Sequence, residues 1–242
     1  MITLKTITTI ELSSLCNLKC KYCVNRLLVK HPARQPGIMS DEIFEKSLYW
    51  LDKLIKAGTQ MEVHLNGNGE SLLDPDIVDR ARVVKALMGE RYVGLCTNGL
   101  KFTQELALEF KRAEIHVDMS VHSPEHIRKA IYYHRQAGLA GVLNPGAMTM
   151  PHNWAGQLEP ENCVPIEYTI QCDPLIDGRG YISSEGYVSP CCYDYRLTGA
   201  FGHVHDADLL ELPITDFELC ATCHQTIPAD IVRALRQERI AA

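Results

Sequence analysis

Residues 16–23 read Cys16-Asn17-Leu18-Lys19-Cys20-Lys21-Tyr22-Cys23, three thiols at Cys-x3-Cys-x2-Cys spacing. Iron–sulfur clusters held by cysteine ordinarily take four thiolates, so a compact trio leaves one iron open to something other than the protein. A zinc knuckle completed elsewhere, for instance by His31, is the competing reading of the spacing alone. Upstream, Ile7 to Ser13 predicts a first strand that runs directly into the cysteine loop. Downstream, residues 24–39, with His31-Pro32 and Gln35-Pro36-Gly37, predict a loop.

From Ser40 onward a unit repeats. Ser40 predicts a helix N-cap, Asp41 and Glu42 suit the positive end of the helix dipole, and Phe44, Leu48, Leu51 and Ile55 recur at helical spacing until Gly58. Met61 to Leu65 predicts a strand ending at a glycine loop, Pro75 to Met88 a helix closed by Gly89, and Tyr92 to Cys96 a strand ending at Thr97-Asn98-Gly99. Thr103 caps a further helix, Ile115 to His122 predicts a strand, Ser123-Pro124-Glu125 opens a helix that ends near Gly138, and Gly141 to Met148 predicts a fifth strand. Alternating strands and helices imply parallel pairing through right-handed crossovers. About five or six βα units are too few for a closed eight-stranded barrel, so the expected fold class is α/β with an open partial (β/α) barrel. In Ile115-His116-Val117-Asp118-Met119-Ser120-Val121-His122, and again in Met61-Glu62-Val63-His64-Leu65-Asn66, every second residue is polar. A parallel strand buried on both faces reads as nearly continuous apolar residues, so one face of this sheet is expected to be wet and to line a lumen.

Composition bounds the class. Of 242 residues, 46% are hydrophobic and 22% charged, which suits a folded chain, and the net charge of −6 argues against an electrostatically driven nucleic-acid or anionic-membrane partner. Neither a transmembrane run nor a secretory pattern is evident, and a cytoplasmic location is expected. Ten cysteines arrive as a triplet, a Cys-x2-Cys pair and singles, a pattern that reads in a reducing compartment as metal ligation rather than disulfides.

The triplet resembles the signature of the radical S-adenosylmethionine (radical SAM) family, and the resemblance continues through Gly67-Asn68-Gly69-Glu70, Thr97-Asn98-Gly99 and a second cysteine set. It implies a 4Fe–4S cluster on Cys16, Cys20 and Cys23, with the amino and carboxyl groups of SAM on the open iron and Tyr22 against the adenine. It also implies that Gly67, Asn68, Gly69 and Glu70 face the SAM amino group, and that Asn98 and Ser120 reach its hydroxyl or carboxylate groups. The plainer reading of these residues is turn chemistry and strand-end hydrogen bonding.

After Met150 the βα rhythm stops, and the expected division is 1–152 for the barrel and 153–242 for a small C-terminal unit. There Cys172, Gly186-Tyr187-Val188-Ser189-Pro190-Cys191 and Cys220-Ala221-Thr222-Cys223 resemble the auxiliary-cluster portion of the SPASM and twitch subfamilies. The resemblance implies one auxiliary 4Fe–4S cluster on Cys172, Cys191, Cys220 and Cys223, with structural zinc as the competing occupant. Cys163 falls outside that spacing, and Cys192 points the other way along a strand. In size and cluster pattern the chain resembles the twitch dehydrogenases of aminoglycoside assembly. That implies natural-product biosynthesis, hydrogen-atom abstraction from a small polar substrate, oxidation of an alcohol-bearing carbon, and an external one-electron reductant such as flavodoxin or ferredoxin. Glu11, His64, Asp118 and His122 are the candidate polar groups for a substrate hydroxyl, with no catalytic role assigned to any of them. Radical epimerisation with Cys96 or Cys192 as hydrogen donor, modification of a ribosomal peptide, and a non-enzymatic electron carrier are the alternatives.

Overall fold

Five strands form at the places the alternation predicts, and each pairs with the next in parallel. A computed structural model of the chain describes residues 2–20, 23–25, 34–120, 124–144 and 172–222. The elements are β1 (Ile2–Thr3), β2 (Thr6–Ile10), α1 (Asp41–Lys56), β3 (Glu62–His64), α2 (Ile77–Met88), β4 (Tyr92–Thr97), α3 (Gln104–Arg112), β5 (His116–Ser120), α4 (Pro124–Ala137) and β6 (Leu143–Asn144). A short helix α5 (Asp173–Asp177) and strands β7 (Arg179–Ile182), β8 (Tyr187–Ser189), β9 (Gly202–His203) and β10 (Pro213–Ile214) follow. The result is a mixed α/β fold whose main sheet runs β6-β5-β4-β3-β2-β7-β8-β9, parallel from β6 to β7 and antiparallel from β7 to β9.

Local chemistry sets the helix ends as expected. The Ser40 hydroxyl accepts the Ile43 amide at 3.3 Å, the Thr103 hydroxyl accepts that of Leu106 at 3.2 Å, and Gly89 closes α2 at φ 62°. The predicted strand Ile7 to Ser13 leaves the ladder after Ile10, where the chain turns into the cysteine loop. Residues 121–122 and 145–148, the predicted ends of two strands, lie outside the described residues.

The predicted strand alternation is reproduced in burial. Val63, Val93, Leu95, Val117 and Met119 join the core with Phe44, Leu51 and Leu54 of α1, Ala81 and Val84 of α2, and Phe110 of α3. His64, Tyr92, Cys96, His116, Asp118 and Ser120 are half-buried between them. The edge pairing was not legible in advance: β7, from the C-terminal stretch, joins β2 in parallel through Thr6↔Arg179 and Ile10↔Ile182. The indole of Trp50 also donates to the Val204 carbonyl at 2.8 Å, fastening α1 to that stretch. No helix among the described residues is long and apolar enough to cross a membrane.

Gln60 completes the junction between β2 and β3. Its buried side-chain oxygen accepts the Ile7 amide at 2.8 Å, and its nitrogen donates to the carbonyls of Ile7 at 2.7 Å and Glu62 at 2.6 Å. Gln60→Leu strands both polar groups of Ile7 in the core. The expected cost is about 2–4 kcal/mol, read as a lowered urea midpoint with the slope unchanged.

Candidate functional site

Loops at the carboxyl ends of β2, β3 and β4 meet at Glu70, a carboxylate only 3% exposed. One of its oxygens accepts the Thr97 hydroxyl at 2.6 Å and the Leu72 amide at 3.2 Å; the other accepts the Asn98 amide at 2.8 Å. Its own amide donates to the Leu15 carbonyl at 2.7 Å, one residue before the cysteine triplet. Burial pushes the Glu70 carboxyl above its ordinary range, while the bonds from Thr97, Asn98 and Leu72 act against that shift. Asn98 closes the ring of contacts, donating from its side chain to Asn17 at 2.7 Å and accepting the Leu100 amide at 3.0 Å.

The glycines of this loop are fixed by the neighbouring chain. A Cβ on Gly69 would lie 2.2 Å from the Ser13 carbonyl oxygen and 2.6 Å from that of Leu15; one on Gly67 would lie 2.6 Å from the Glu11 side chain. The close approach is therefore to β2 and the start of the cysteine loop. Ser120, at the end of β5, sits apart from this ring, with its hydroxyl 2.9 Å from the Cys96 sulfur.

The thiols fit cluster ligation in their hydrogen bonding. Backbone amides of Asn25, Tyr193 and Phe217 donate to the sulfurs of Cys23, Cys191 and Cys220 at 3.4, 3.4 and 3.5 Å, an arrangement that favours thiolate sulfur and tunes bound clusters. Burial pushes the Cys16 thiol up, with Glu70 and Cys20 adding to the shift and the amides of Leu18 and Asn17 opposing it. Cys16, Cys20, Cys23, Cys172, Cys191 and Cys220 are all partly accessible. Tyr22, Cys223, Cys163 and His122 lie outside the described residues, as does His31. Among the described residues no three Cys, His, Asp or Glu side chains converge as a ready-made metal site. The fit rests on the donor chemistry and on the loop that carries the triplet.

Sequence reasoning named Glu11 only as a candidate for a substrate hydroxyl and missed the buried charged group that it forms beside this ring. Glu11, fully buried, accepts the Asn68 amide at 2.7 Å on one oxygen; on the other it accepts Arg34 at 2.8 Å and the Ser184 amide at 3.2 Å. Arg34 also grips Glu185 in a two-pronged contact at 2.9 and 2.6 Å and donates to the Tyr195 carbonyl at 3.1 Å. Burial opposes the charge on Arg34, but the Glu185 and Glu11 carboxylates outweigh it and the guanidinium stays protonated. Both oxygens of Glu11 are thus occupied, which removes it from the candidates for a substrate hydroxyl. Arg34 stands in a loop without periodicity, and its partner Glu185 is 151 residues away, so no local pattern signals the pair.

On the wet face, Tyr92 lies between His64 and His116, with ring centroids 5.1 and 4.6 Å apart. Gly94 supplies the space, since a Cβ there would lie 2.4 Å from the Tyr92 hydroxyl oxygen. One oxygen of Asp118 accepts the Val142 amide at 2.6 Å. A separate open cavity of about 510 Å³, lined by residues including Tyr187, Arg196, Phe201, His203 and Asp206, contains no cysteine and no residue of the 67–70 loop.

Similarity to known proteins extends to family and fold. The family described as the Radical SAM superfamily matches residues 10–139. Molybdenum cofactor biosynthesis protein 1 of Bos taurus is 31% identical over 97 residues, covering 40% of this chain and 14% of that protein. GTP 3',8-cyclase of Synechococcus elongatus is 32% identical over 98 residues, covering 40% of this chain and 28% of that enzyme. Among solved structures, BtrN in complex with AdoMet and 2-DOIA superposes with a TM-score of 0.64 at 16% identity, covering 92% of this chain and 88% of BtrN. Native anSMEcpe with bound AdoMet gives 0.56 at 16% identity, covering 90% of this chain and 86% of anSMEcpe.

The packing of Gly69 gives a direct check. Gly69→Ala drives a methyl into the backbone of residues 13–15 and is expected to cost about 3 kcal/mol. Gly58→Ala, at φ 75° with open space around it, meets backbone strain alone, about 1 kcal/mol. Parallel denaturation curves of the two variants measure the difference.

Proposed function

The chain belongs to the radical SAM superfamily, and from that premise we propose that it cleaves SAM reductively and oxidises an alcohol-bearing carbon of a small polar substrate by two electrons. When bound, a 4Fe–4S cluster with SAM would supply hydrogen-atom abstraction, and an auxiliary 4Fe–4S cluster would supply the acceptor for the second electron, with the hydroxyl proton passing to a protein base. Cys16, Cys20 and Cys23 would hold the first cluster, and Tyr22 is the residue that would meet the adenine. The backbone of Gly67, Asn68 and Gly69, with Glu70 behind it, would receive the SAM amino group, and Asn98 and Ser120 would serve its other polar groups. Cys172, Cys191, Cys220 and Cys223 would hold the auxiliary cluster, with 1–152 as the partial barrel and 153–242 as the twitch-like unit.

What supports this reading is the fastening of the cysteine loop, the glycine loop and the end of β4 to one another through Glu70, at the strand ends where parallel sheets bind ligands. His64, Tyr92, His116 and Asp118 form the polar wall on which a hydroxylated substrate is oriented, with His64 or Asp118 as proton acceptor. An external flavodoxin- or ferredoxin-type reductant supplies the first electron. The matches to molybdenum cofactor and GTP cyclase proteins cover 40% of this chain, too little to carry their substrates over. Radical epimerisation is the second reading. It is supported by Cys96, whose thiol is pushed up by burial and so retains its hydrogen on the wet face beside Ser120.

The test is iron content per chain and 5'-deoxyadenosine release under strong reductant, for the intact protein and the Cys16→Ala/Cys20→Ala/Cys23→Ala variant. The expected result is about eight irons and SAM cleavage in the intact protein, against about four irons and no cleavage in the variant. Retention of zinc by the C-terminal cysteines, or absence of SAM cleavage in the intact protein, overturns the reading.

A further inference from the structure

The buried Glu11–Arg34–Glu185 group joins two parts of the molecule that the reaction needs in register. Glu11 stands one residue beyond β2 and reaches in two directions from one carboxylate. Its first oxygen holds the Asn68 amide, inside the glycine loop; its second holds the Ser184 amide, in the turn between β7 and β8, as well as Arg34. Arg34 in turn clamps Glu185 of the same turn through two nitrogens. A parallel path runs beside it. The Asn68 side chain donates to the Tyr181 hydroxyl at 3.2 Å, and the Ser184 hydroxyl donates to that of Ser14 at 2.9 Å, in the backbone segment on which Gly69 packs.

We propose that Glu11, charge-balanced by Arg34, is a positioning residue that couples the SAM-facing loop 67–70 to the β7–β8 turn, so that the loop is set for SAM only while the C-terminal hairpin is docked. The inference rests on the reading that loop 67–70 receives SAM. Three features carry it. Both Glu11 oxygens are occupied by protein donors, so the carboxylate positions rather than contacts a ligand. The absence of a side chain at Gly67 is required by Glu11 itself, because a Cβ would lie 2.6–2.7 Å from Glu11 side-chain atoms. And the hairpin that Arg34 clamps is the one whose second strand, Tyr187–Ser189, leads directly to Cys191. A shift of that turn therefore reaches Asn68 through one carboxylate, and the hairpin's cysteine moves with it. Two carboxylates share one guanidinium, so loss of the Glu185 bridge frees Arg34 from the hairpin while Glu11 keeps its partner, whereas loss of the Arg34 charge leaves Glu11 buried without a counter-charge.

Glu185 decides the matter because it touches Arg34 on the hairpin side, makes no hydrogen bond or ion pair with loop 67–70, and its side chain is 23% exposed. Amide hydrogen exchange at Asn68, Glu70, Ser184 and Gly186 is measured on the anaerobically reconstituted full chain without SAM, and SAM affinity is then measured by calorimetry. Glu185→Ala is expected to speed exchange at both the turn and the loop, and to weaken SAM binding about tenfold, with iron content unchanged. Glu185→Gln, which keeps shape and an acceptor, gives the same direction if the alanine variant does not fold. Arg34→Lys, which keeps charge and loses the two-pronged grip, is expected to fall between Arg34→Met and the parent. Faster exchange at Ser184 and Gly186 with parental exchange at Asn68 and Glu70 overturns the coupling and leaves the group a structural clamp. If the parent protein itself does not bind SAM, the functional reading fails, and the exchange at Asn68 alone decides whether loop and hairpin are coupled.

Discussion

Two carboxylates taken out of water, Glu11 and Glu70, hold the loops at the carboxyl ends of the parallel strands. Burying a carboxylate is costly unless donors replace its hydration, and each of these is surrounded by backbone amides, a hydroxyl or a guanidinium aimed at its oxygens. The consequence is geometric. Glu70 ties the glycine loop to the end of β4 and to the backbone just before the cysteine triplet, and Glu11 ties the same loop to β2 and to the C-terminal hairpin. Loops are otherwise the least constrained parts of a fold, so this pair turns three strand ends into one rigid rim.

That rim sits where a parallel sheet offers converging loops, and the two faces of the sheet divide the work. Valines, leucines and a methionine on one face bury against α1, α2 and α3, while histidines, Tyr92, Asp118 and Ser120 occupy the other. The division follows from the two-residue period of a strand. Packing and chemistry therefore lie on opposite sides of one backbone, and the polar wall is held by the core behind it.

Much of this was legible in advance. The Cys-x3-Cys-x2-Cys run, the alternation in 61–66 and 115–122, and the capping residues Ser40 and Thr103 each reflect contacts between near neighbours in the chain, and the strands and caps form where these signals put them. Other features were not legible. The sequence points to Gly67 and Gly69 as places for close ligand approach, whereas their immediate neighbours are Glu11 and the backbone of 13–15. Glu11 reads as one more polar residue of the wet face, yet it is enclosed, because the residues that enclose it come from positions 34, 68 and 184.

The sequence by itself determined the family signature, the α/β rhythm and which face of each strand is apolar, because spacing and periodicity are written between residues a few positions apart. Only the tertiary structure decided that β7 closes onto β2, that Arg34 meets Glu185, and that one buried carboxylate spans the glycine loop and the hairpin. Those contacts join segments more than fifty to more than a hundred and seventy positions apart. Their energy comes from desolvated charges finding partners, a condition met only once the strands have brought those segments together.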